Sequence, residues 1–245
     1  MTDQGLGRIE SYGLGRFPST VDKRDYPLSA YIRGASAVTE KIWDFTVDAL
    51  NQLESVHCGG FTMAHYGICH PMPSMYTNDD GHNFYEQCNI TDGTPGLQNG
   101  TSCRTMAKTG KRLGMWSVYA FATVMEEIDY WLLNEGSLMV GTEWTEGMFT
   151  VDANNVIHPT GNVAGGHAWL LNGKIPGFKH GITSWGPDFG INGGFWISDA
   201  DFAALFARQG EAIAAVEVAK VDPSVTENKG CMSTKLGKML GRMLG

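Results

Sequence analysis

The chain has 245 residues, of which 42% are hydrophobic, and its 18 basic and 26 acidic residues give a net charge of −8. This length and apolar content suit one compact domain rather than two domains with a linker. The acidic balance argues against a nucleic-acid partner, which needs a basic surface. No apolar run is long enough to span a membrane.

Residues 1–26 are expected to form an N-terminal arm and entry segment outside the core. They repeat Gly-Leu-Gly-Arg at residues 5–8 and 13–16, a string that is too flexible and too polar for a packed interior. The first eight residues lack the apolar stretch of a secretory signal, so export by that route is not expected. No long inhibitory propeptide fits ahead of residue 52, so zymogen control of the kind found in secreted proteases is not expected.

The next feature is a cysteine at the predicted start of a helix over residues 58–69. Unpaired backbone N–H groups and the helix dipole favour a thiolate at that position, so Cys58 is a candidate nucleophile, with Gln52 six residues upstream. The alternative is a small buried hydrophobic residue. The spacing of Phe61, Ala64 and Ile68 predicts one apolar helix face. His57 is interpreted as a surface residue.

Residues 72–99 are rich in Asn, Asp and Gly, which predicts a long loop. The acidic residues in this stretch match no calcium loop, so no metal or cofactor is predicted. Helices are predicted at residues 102–113, capped by Thr101 or Ser102 and ended by Gly114, and at residues 122–134, before Gly136.

The second half of the sequence is predicted to be mainly strands. Short apolar or alternating runs separated by glycine indicate strands at residues 138–142, 167–171, 181–185, 194–197 and 212–218. One helix interrupts them, beginning at a capping-box-like Ser198 and ending before Gly210, with Phe202, Leu205 and Phe206 on its apolar face. A helical half is therefore followed by a sheet half.

Two motifs in this half complete a pattern that begins at Gln52. Gly165-Gly-His-Ala-Trp places His167 at the start of an apolar strand, and Thr183-Ser-Trp-Gly follows it. The order Gln, Cys, His, Ser-Trp-Gly resembles the papain-like cysteine peptidases. Asp-x-Arg-Asp-Tyr at residues 22–26 is similar to the short propeptide-less forms of bacteria and bacteriophages. Without these neighbours, His167 would be interpreted as a satisfied core histidine.

The resemblance implies an α+β, papain-like two-lobed fold over residues 27–219. A helical lobe at about residues 40–136 would hold the central nucleophile helix, and an antiparallel sheet or barrel lobe would follow at about residues 137–219. A peptide or protein substrate would lie in the cleft between the lobes. The reaction would be peptide or amide hydrolysis through a thioester.

The same resemblance implies a role for each matching residue. Cys58 would be the nucleophile, His167 the general base and acid, and Gln52 a side-chain donor to the oxyanion. Trp185 would cover the contact that orients the histidine, with Ser184 beside it. Thr183 stands where the family has the asparagine that holds the histidine ring.

Two departures from the family pattern leave a second interpretation open: Thr183 itself, and Gly59 in place of the tryptophan that usually follows the nucleophile. A third departure is Ser55, which replaces a cysteine of the family's local disulfide, so that disulfide cannot form. The alternative is a catalytically weakened module with a structural or assembly role, for example in a bacteriophage particle. The expected location is cytoplasmic or virion-associated.

The remaining cysteines and the C-terminal tail give two further expectations. Reduced thiols are favoured over two disulfides for Cys69, Cys88, Cys103 and Cys231. Residues 220–245 are predicted to be a linker and an amphipathic tail, with an apolar stripe formed by Leu236, Met239, Leu240, Met243 and Leu244. The tail is expected to order against a partner protein or another copy of the chain, the alternative being a frayed terminus.

Overall fold

The structure is a computed structural model that describes residues 12–20, 22–23, 25–69 and 74–216. The first Gly-Leu-Gly-Arg copy, the C-terminal tail and Cys231 lie outside the described residues. The two predictions made for the tail, partner binding and self-association, therefore stay predictions. Within the described residues, no helix is long and apolar enough to cross a membrane.

Five α-helices and nine strands make up the described part of the chain, together with two short 3-10 helices at Leu28–Tyr31 and Glu146–Phe149. The helices are α1 (Cys58–Cys69), α2 (Asn78–Asp92), α3 (Cys103–Leu113), α4 (Met125–Asn134) and α5 (Asp199–Ala207). The strands are β1 (Arg16–Phe17), β2 (Lys41–Ile42), β3 (Thr101–Ser102), β4 (Val118–Phe121), β5 (Leu138–Thr145), β6 (Val163–Ile175), β7 (Phe178–Ile182), β8 (Gly194–Ser198) and β9 (Glu211–Val216).

The sheet half of the described chain is one antiparallel sheet of seven strands in the order β4-β9-β5-β6-β7-β8, with β2 added to β6. Strand β6 is its longest member, and its N-terminal half pairs with β5 so that Thr142 lies opposite His167. A separate small pair joins β1 to β3 in parallel. Helices α1 to α3 precede most of the large sheet in sequence, as predicted.

Helix α1 is the predicted nucleophile helix, and its limits are confirmed. The expected single apolar face is wrong, because every residue of α1 is buried. The helix lies between α2, α3 and the sheet, so no side faces solvent. Its glycines permit this close packing: a Cβ on Gly60 would lie 2.3 Å from the carbonyl oxygen of Gly81 in α2.

The loop predicted for residues 72–99 is wrong, because α2 occupies most of it. Thr77 and Asp80 form a capping box at its start, and Gly93, at φ +74°, ends it. Its buried residues include Phe84, Tyr85 and Cys88, a stripe too narrow to stand out in a polar sequence. Asp80 therefore serves a helix cap, and the described residues hold no cluster suited to a metal ion.

The other predicted elements differ from the structure mainly at their limits. Helix α3 has the predicted Ser102 cap and Gly114 end, and α5 has the predicted Ser198 cap. The helix predicted at residues 122–134 begins only at Met125, because β4 and its exit occupy the preceding residues. The strand predicted at residues 181–185 lies instead at Phe178–Ile182, which leaves Thr183 to Trp185 outside regular structure.

The helices and the sheet share two buried hydrophobic clusters. One contains Cys58 and much of α1 together with Leu170 and Ile213 of the sheet. The other lies within the sheet half and contains Trp144, Trp169 and Trp185. The N-terminal end of α1 meets β6 within the first cluster, which contains both Cys58 and Ala168, so this fold brings residue 58 close to residue 168.

Candidate active site

Cys58 is the first residue of α1 and is completely buried. Its Sγ atom accepts a hydrogen bond of 3.4 Å from the backbone N–H of Ala168, the residue that follows His167 on β6. The helix start and the sheet therefore meet at the sulfur, although the two segments are 110 residues apart in sequence.

Burial raises the pKa of the Cys58 thiol to about 11. Backbone N–H groups of Ala168, Gly15 and Gly59 and the positive charge of Arg16 act in the opposite direction, but they do not offset the loss of solvent. In the covered state described here Cys58 is a thiol, which is opposite to the thiolate that a helix start alone predicts.

His167 lies on β6 and is also completely buried. Its Nε2 atom lies 2.8 Å from the hydroxyl oxygen of Thr183. Its Nδ1 atom has no hydrogen-bond partner among the described residues. One ring nitrogen is thus held in place while the other remains available to exchange a proton.

Two tryptophans enclose the imidazole. The Trp185 indole stacks on it with ring centroids 4.5 Å apart, and Trp144 meets it edge-on at 5.0 Å. Burial, with a smaller contribution from His65, lowers the pKa of His167 to about 3. The imidazole is therefore neutral while the site is covered.

Gln52 and Ser184 form a second hydrogen-bonded pair. The Ser184 hydroxyl donates to Gln52 Oε1 at 2.5 Å, and the Gln52 backbone N–H donates to the Ser184 carbonyl at 2.8 Å. These contacts fix the orientation of the amide, with Oε1 as the acceptor end and Nε2 as the donor end. Nε2 in turn donates to the carbonyl oxygens of Gly13 and Ser55.

The segment from Tyr12 to Phe17, here called the arm, covers this site. The Gly13 carbonyl accepts hydrogen bonds from Gln52 Nε2 at 3.0 Å and from the Trp185 indole N–H at 3.2 Å. Tyr12 stacks on Trp185 with centroids 4.5 Å apart. The donor predicted to stabilise an oxyanion is therefore occupied by a carbonyl of the chain itself.

The next arm residues complete the cover with backbone hydrogen bonds. Gly15 donates to the carbonyl of Gly166 at 3.1 Å and accepts from the N–H of Thr101 at 2.7 Å, so the arm joins both walls of the cleft. A Cβ on Gly13 would lie 1.9 Å from the Ser55 carbonyl oxygen, and a Cβ on Gly15 would lie 2.0 Å from that of Val56. Only glycine fits at these two positions.

The expectation that zymogen control of the secreted-protease kind is absent stays a prediction, but the arm corrects another expectation. The second Gly-Leu-Gly-Arg copy is packed rather than free, since Gly13 and Arg16 are buried. The glycines that suggested flexibility are needed for the close backbone approach.

Two of the departures from the family pattern have a packing explanation. A Cβ on Gly59 would lie 2.1 Å from the Thr101 methyl group, so a larger residue does not fit there. Ser55 donates its hydroxyl hydrogen to the Gln52 carbonyl at 2.7 Å. Cys69, Cys88 and Cys103 are free and buried, in agreement with the prediction of reduced thiols for these three.

His57 is not the surface residue that the sequence suggested. Its ring stacks on Tyr85 with centroids 3.9 Å apart, and its Nδ1 atom lies 2.6 Å from Nδ1 of His82. It is half-buried, and burial is the main cause of a lowered pKa. The helix α2, absent from the sequence prediction, supplies both partners.

Sequence reasoning missed Trp144 and the arm residues of this site. Trp144 lies in a strand and nothing in its neighbourhood distinguishes it from a core residue. The sequence of the arm does contain a clue to its packing. Glycines at alternate positions, as at Gly13 and Gly15, allow one backbone to approach another closely.

The comparisons identify the fold. No family model matches the sequence, and no curated protein matches it. Among solved structures, similarity is found to xylellain, a cysteine protease from Xylella fastidiosa, at 16% identity and a TM-score of 0.67, covering 86% of this chain and 97% of that one. The procathepsin B S9 structure from Trypanosoma congolense matches at 11% identity and a TM-score of 0.61, covering 88% and 89%.

A third structure, the digestive procathepsin L 3 of Tenebrio molitor larval midgut, matches at 12% identity and a TM-score of 0.57, covering 86% of this chain and 77% of that one. The chain therefore has a papain-like fold. At these identities the likeness establishes the fold and leaves the chemistry to the residues of the site.

Proposed function

Starting from the papain-like fold, we propose that the protein is a thiol peptidase or a related amide hydrolase that acts through a Cys58 thioester. The observation that carries the proposal is the state of His167. Its Nε2 atom is held by Thr183, its Nδ1 atom is unpartnered among the described residues, and the next backbone N–H contacts Cys58 Sγ. With Nε2 held, Nδ1 is the nitrogen that can accept a proton.

The proposed reaction begins when the Cys58 proton passes to Nδ1 of His167. The sulfur then attacks the carbonyl carbon of the substrate, and the carbonyl electron pair moves to oxygen. Gln52 Nε2 and the backbone N–H of Cys58 stabilise that negative charge. Collapse breaks the C–N bond, and His167 gives its proton to the departing amine.

Water completes the reaction. It loses a proton to His167 as its oxygen attacks the thioester carbon, and the departing sulfur recovers the proton, which leaves a carboxylic acid and the original thiol. Thr183 acts by holding the imidazole in the tautomer that keeps Nδ1 free, with Nε2–H donating to its hydroxyl oxygen. Trp185 and Trp144 limit the motion of the ring.

This reaction requires the arm to leave the cleft. Gly13 occupies the amide of Gln52, and both reacting side chains are inaccessible while Tyr12 to Phe17 stay in place. Two of the similar structures are named as pro-forms of cathepsins, which is consistent with a covered resting state. We therefore propose that hydrolysis follows arm release.

The test uses the full chain with Gly13→Ala and Gly15→Ala together, the arm-release variant. The added Cβ atoms collide with backbone oxygens, so the arm should leave the cleft. Hydrolysis of a mixture of fluorogenic peptide amides should rise at least about tenfold over the unmodified chain, as the competent population grows.

Adding Cys58→Ala to the arm-release variant should abolish this activity. Cys69→Ala at the other end of α1 is the matched control and should retain it. An arm-release variant that is folded, accessible at Cys58 and inactive on every peptide and activated ester contradicts the proposed function.

The second interpretation, a weakened module with a structural or assembly role, for example in a bacteriophage particle, loses one of its motives. Gly59 is explained by its contact with Thr101, so its presence says nothing against activity. The interpretation now depends on Thr183 alone. An arm-release variant that is folded and accessible at Cys58, but inactive on peptides and activated esters, would support this interpretation.

A further inference from the structure

His65 is a buried histidine of α1 that the proposed reaction does not use. It follows Cys58 by two helical turns, so both side chains project from the same face of α1, about 10 Å apart along its axis. Its Nε2 atom accepts a hydrogen bond of 3.0 Å from the backbone N–H of Leu50. His65 therefore joins the helix that carries the nucleophile to the chain just before Gln52.

The protonation state of the ring fits this contact. A neutral imidazole accepts a hydrogen bond only at the nitrogen without a proton, so Nδ1 of His65 carries the hydrogen. Nδ1 is buried without a hydrogen-bond partner among the described residues, and Phe45 packs against the ring in a T-shaped arrangement with centroids 5.2 Å apart. Burial lowers the pKa of His65 to about 3, so Nε2 stays an acceptor at neutral pH.

Residues 50–52, here called the Gln52 segment, also pair with the sheet half of the chain. The Gly186 N–H donates to the Leu50 carbonyl at 3.1 Å, and the Gln52 N–H donates to the Ser184 carbonyl at 2.8 Å. The N–H of Leu50 finds no carbonyl in this pairing within the described structure. His65 supplies its acceptor from the opposite side.

The Gln52 segment is thus held between the two parts of the site. The sheet side includes Thr183, which contacts His167, and the other side is α1, which begins at Cys58. The backbone contacts of the segment involve no arm residue, so they remain when the arm leaves. The bond from His65 ties the segment to the helix.

We propose that His65 is a positioning residue, which sets the place of the Gln52 amide relative to Cys58 by holding the Leu50 N–H. The inference rests on the proposed function, to which it adds a residue that touches neither the substrate nor the reacting atoms. An oxyanion donor acts in the transition state, so its displacement slows the chemical step and leaves substrate binding unchanged. A displacement of about 1 Å can cost about 10²-fold in rate.

The first test is steady-state hydrolysis by the full-length arm-release variant, with the peptide amide that it cleaves best. His65→Leu removes the acceptor and should lower kcat at least about tenfold with KM unchanged. Titration of the activity with iodoacetamide counts the active sites, so unfolded protein does not enter kcat. His65→Gln keeps an acceptor and should restore most of the rate.

His180→Leu is the matched control and should keep kcat, because His180 lies on β7 and its Nδ1 contacts Asn172 Oδ1 at 2.6 Å. A role of His65 in stability alone predicts the same kcat per active site in His65→Leu. That result, or a loss of kcat that His65→Gln does not restore, overturns the proposal.

A double-mutant cycle tests whether His65 acts through Gln52. Once Gln52→Ala has removed the donor, His65→Leu should reduce kcat little further. Combined with Thr183→Ala, which acts on His167 instead, the two losses should multiply. Losses that multiply fully in His65→Leu with Gln52→Ala overturn the proposed route.

The last test measures binding and needs no turnover. The probe is acetyl-Leu-glycinal, which copies Leu14 and Gly15 of the arm, because the Gly15 backbone N–H contacts the Cys58 thiol. The sulfur bonds to the aldehyde carbon and the thiol proton passes to the carbonyl oxygen, which takes the place of the oxyanion. In the arm-release variant, His65→Leu should weaken binding at least about tenfold by calorimetry. The alcohol acetyl-Leu-glycinol forms no adduct, so its binding should not change.

The two readouts separate this proposal from the proposed function. Hydrolysis with an unchanged kcat and an unchanged aldehyde affinity in His65→Leu overturns the positioning role and leaves the proposed function intact. Aldehyde binding that depends on His65, without any hydrolysis, contradicts the proposed function and leaves the positioning role intact. An arm-release variant that forms no adduct and hydrolyses no peptide contradicts both.

Discussion

The hydroxyl oxygen of Thr183 lies 2.8 Å from Nε2 of His167, and both residues are completely buried. Threonine at this position thus reaches the ring directly, without a bridging water. The backbone explains the reach: Thr183 follows β7, which pairs with β6, and its N–H donates to the Gly193 carbonyl at 2.9 Å. The hydroxyl is therefore held beside the strand that carries the histidine.

This contact predicts a loss of activity in Thr183→Ala. In the arm-release variant, single-turnover acylation by an activated ester should slow by about 10²-fold, the typical cost of a misplaced catalytic group. Thr183→Asn should retain or exceed the original rate, since its amide oxygen can accept the same N–H. Thr150→Ala, at an exposed position, is the control. Equal rates in all variants would show that Thr183 does not orient His167.

The pKa of Cys58 predicts an alkylation rate that depends on the arm. With the arm in place the pKa is about 11, so the thiolate is scarce at neutral pH and iodoacetamide labelling should rise only in strongly alkaline solution. In the arm-release variant, solvent, the helix start and His167 should together give labelling below neutral pH.

The control for this profile is His167→Ala in the arm-release variant, which should move the rise toward the free-thiol value of about 8.5. If the labelling rate depends on pH in the same way with and without His167, no ion pair forms between Cys58 and His167. Identical profiles for the unmodified chain and the arm-release variant would mean that the arm does not govern access.

His65 predicts a loss of stability in acid. It is completely buried, its Nε2 accepts the Leu50 backbone N–H at 3.0 Å, and burial lowers its pKa to about 3. Below about pH 6.5 the unfolded chain binds a proton that the folded chain excludes, so stability falls as the pH falls from 6.5 toward 3. At pH 5 this histidine should cost about 2 kcal/mol of unfolding free energy.

Urea denaturation of wild type and His65→Gln at pH 7 and pH 5 checks this prediction. Glutamine keeps an acceptor for Leu50 but does not titrate, so the variant should lose about 2 kcal/mol less than wild type between the two pH values. His158→Gln is the control, because His158 is half exposed. The same acid loss in wild type and His65→Gln would contradict the assignment.

Gly59 predicts that restoring a side chain after the nucleophile destabilises the fold. Alanine there places a Cβ 2.1 Å from the Thr101 methyl group and 3.1 Å from Met106 Sδ, which should cost about 1–3 kcal/mol through overpacking. Gly136→Ala is the control, since the nearest atom to its Cβ is 3.8 Å away. Thermal unfolding of the three proteins measures the difference, and an unchanged Gly59→Ala midpoint would show that α1 can shift.

The C-terminal sequence predicts a role in assembly. Deleting residues 229–245 removes the apolar stripe and should weaken self-association or partner binding, measured by sedimentation, while hydrolysis by the arm-release variant continues at the same rate. Unchanged association together with altered activity would refute a docking tail.

The sequence alone determined the features that depend on neighbouring residues. The helix start at Cys58, the Ser102 and Ser198 caps and the order of Gln52, Cys58 and His167 were readable because caps and motifs depend on residues a few positions apart. The polar sequence of α2 hid its helix, since much of its stability comes from a buried stripe against α1, and that stripe can be recognised only once α1 is in place.

The tertiary structure alone decided how the cleft is filled. Gly13 meets Gln52, Gly15 meets Gly166, and Arg16 meets Glu211 across as many as 195 residues. Such pairings carry no local signal, because backbone hydrogen bonds and buried charges depend on the whole packed surface around them. The candidate site residues could therefore be named from the sequence, whereas their cover required the fold.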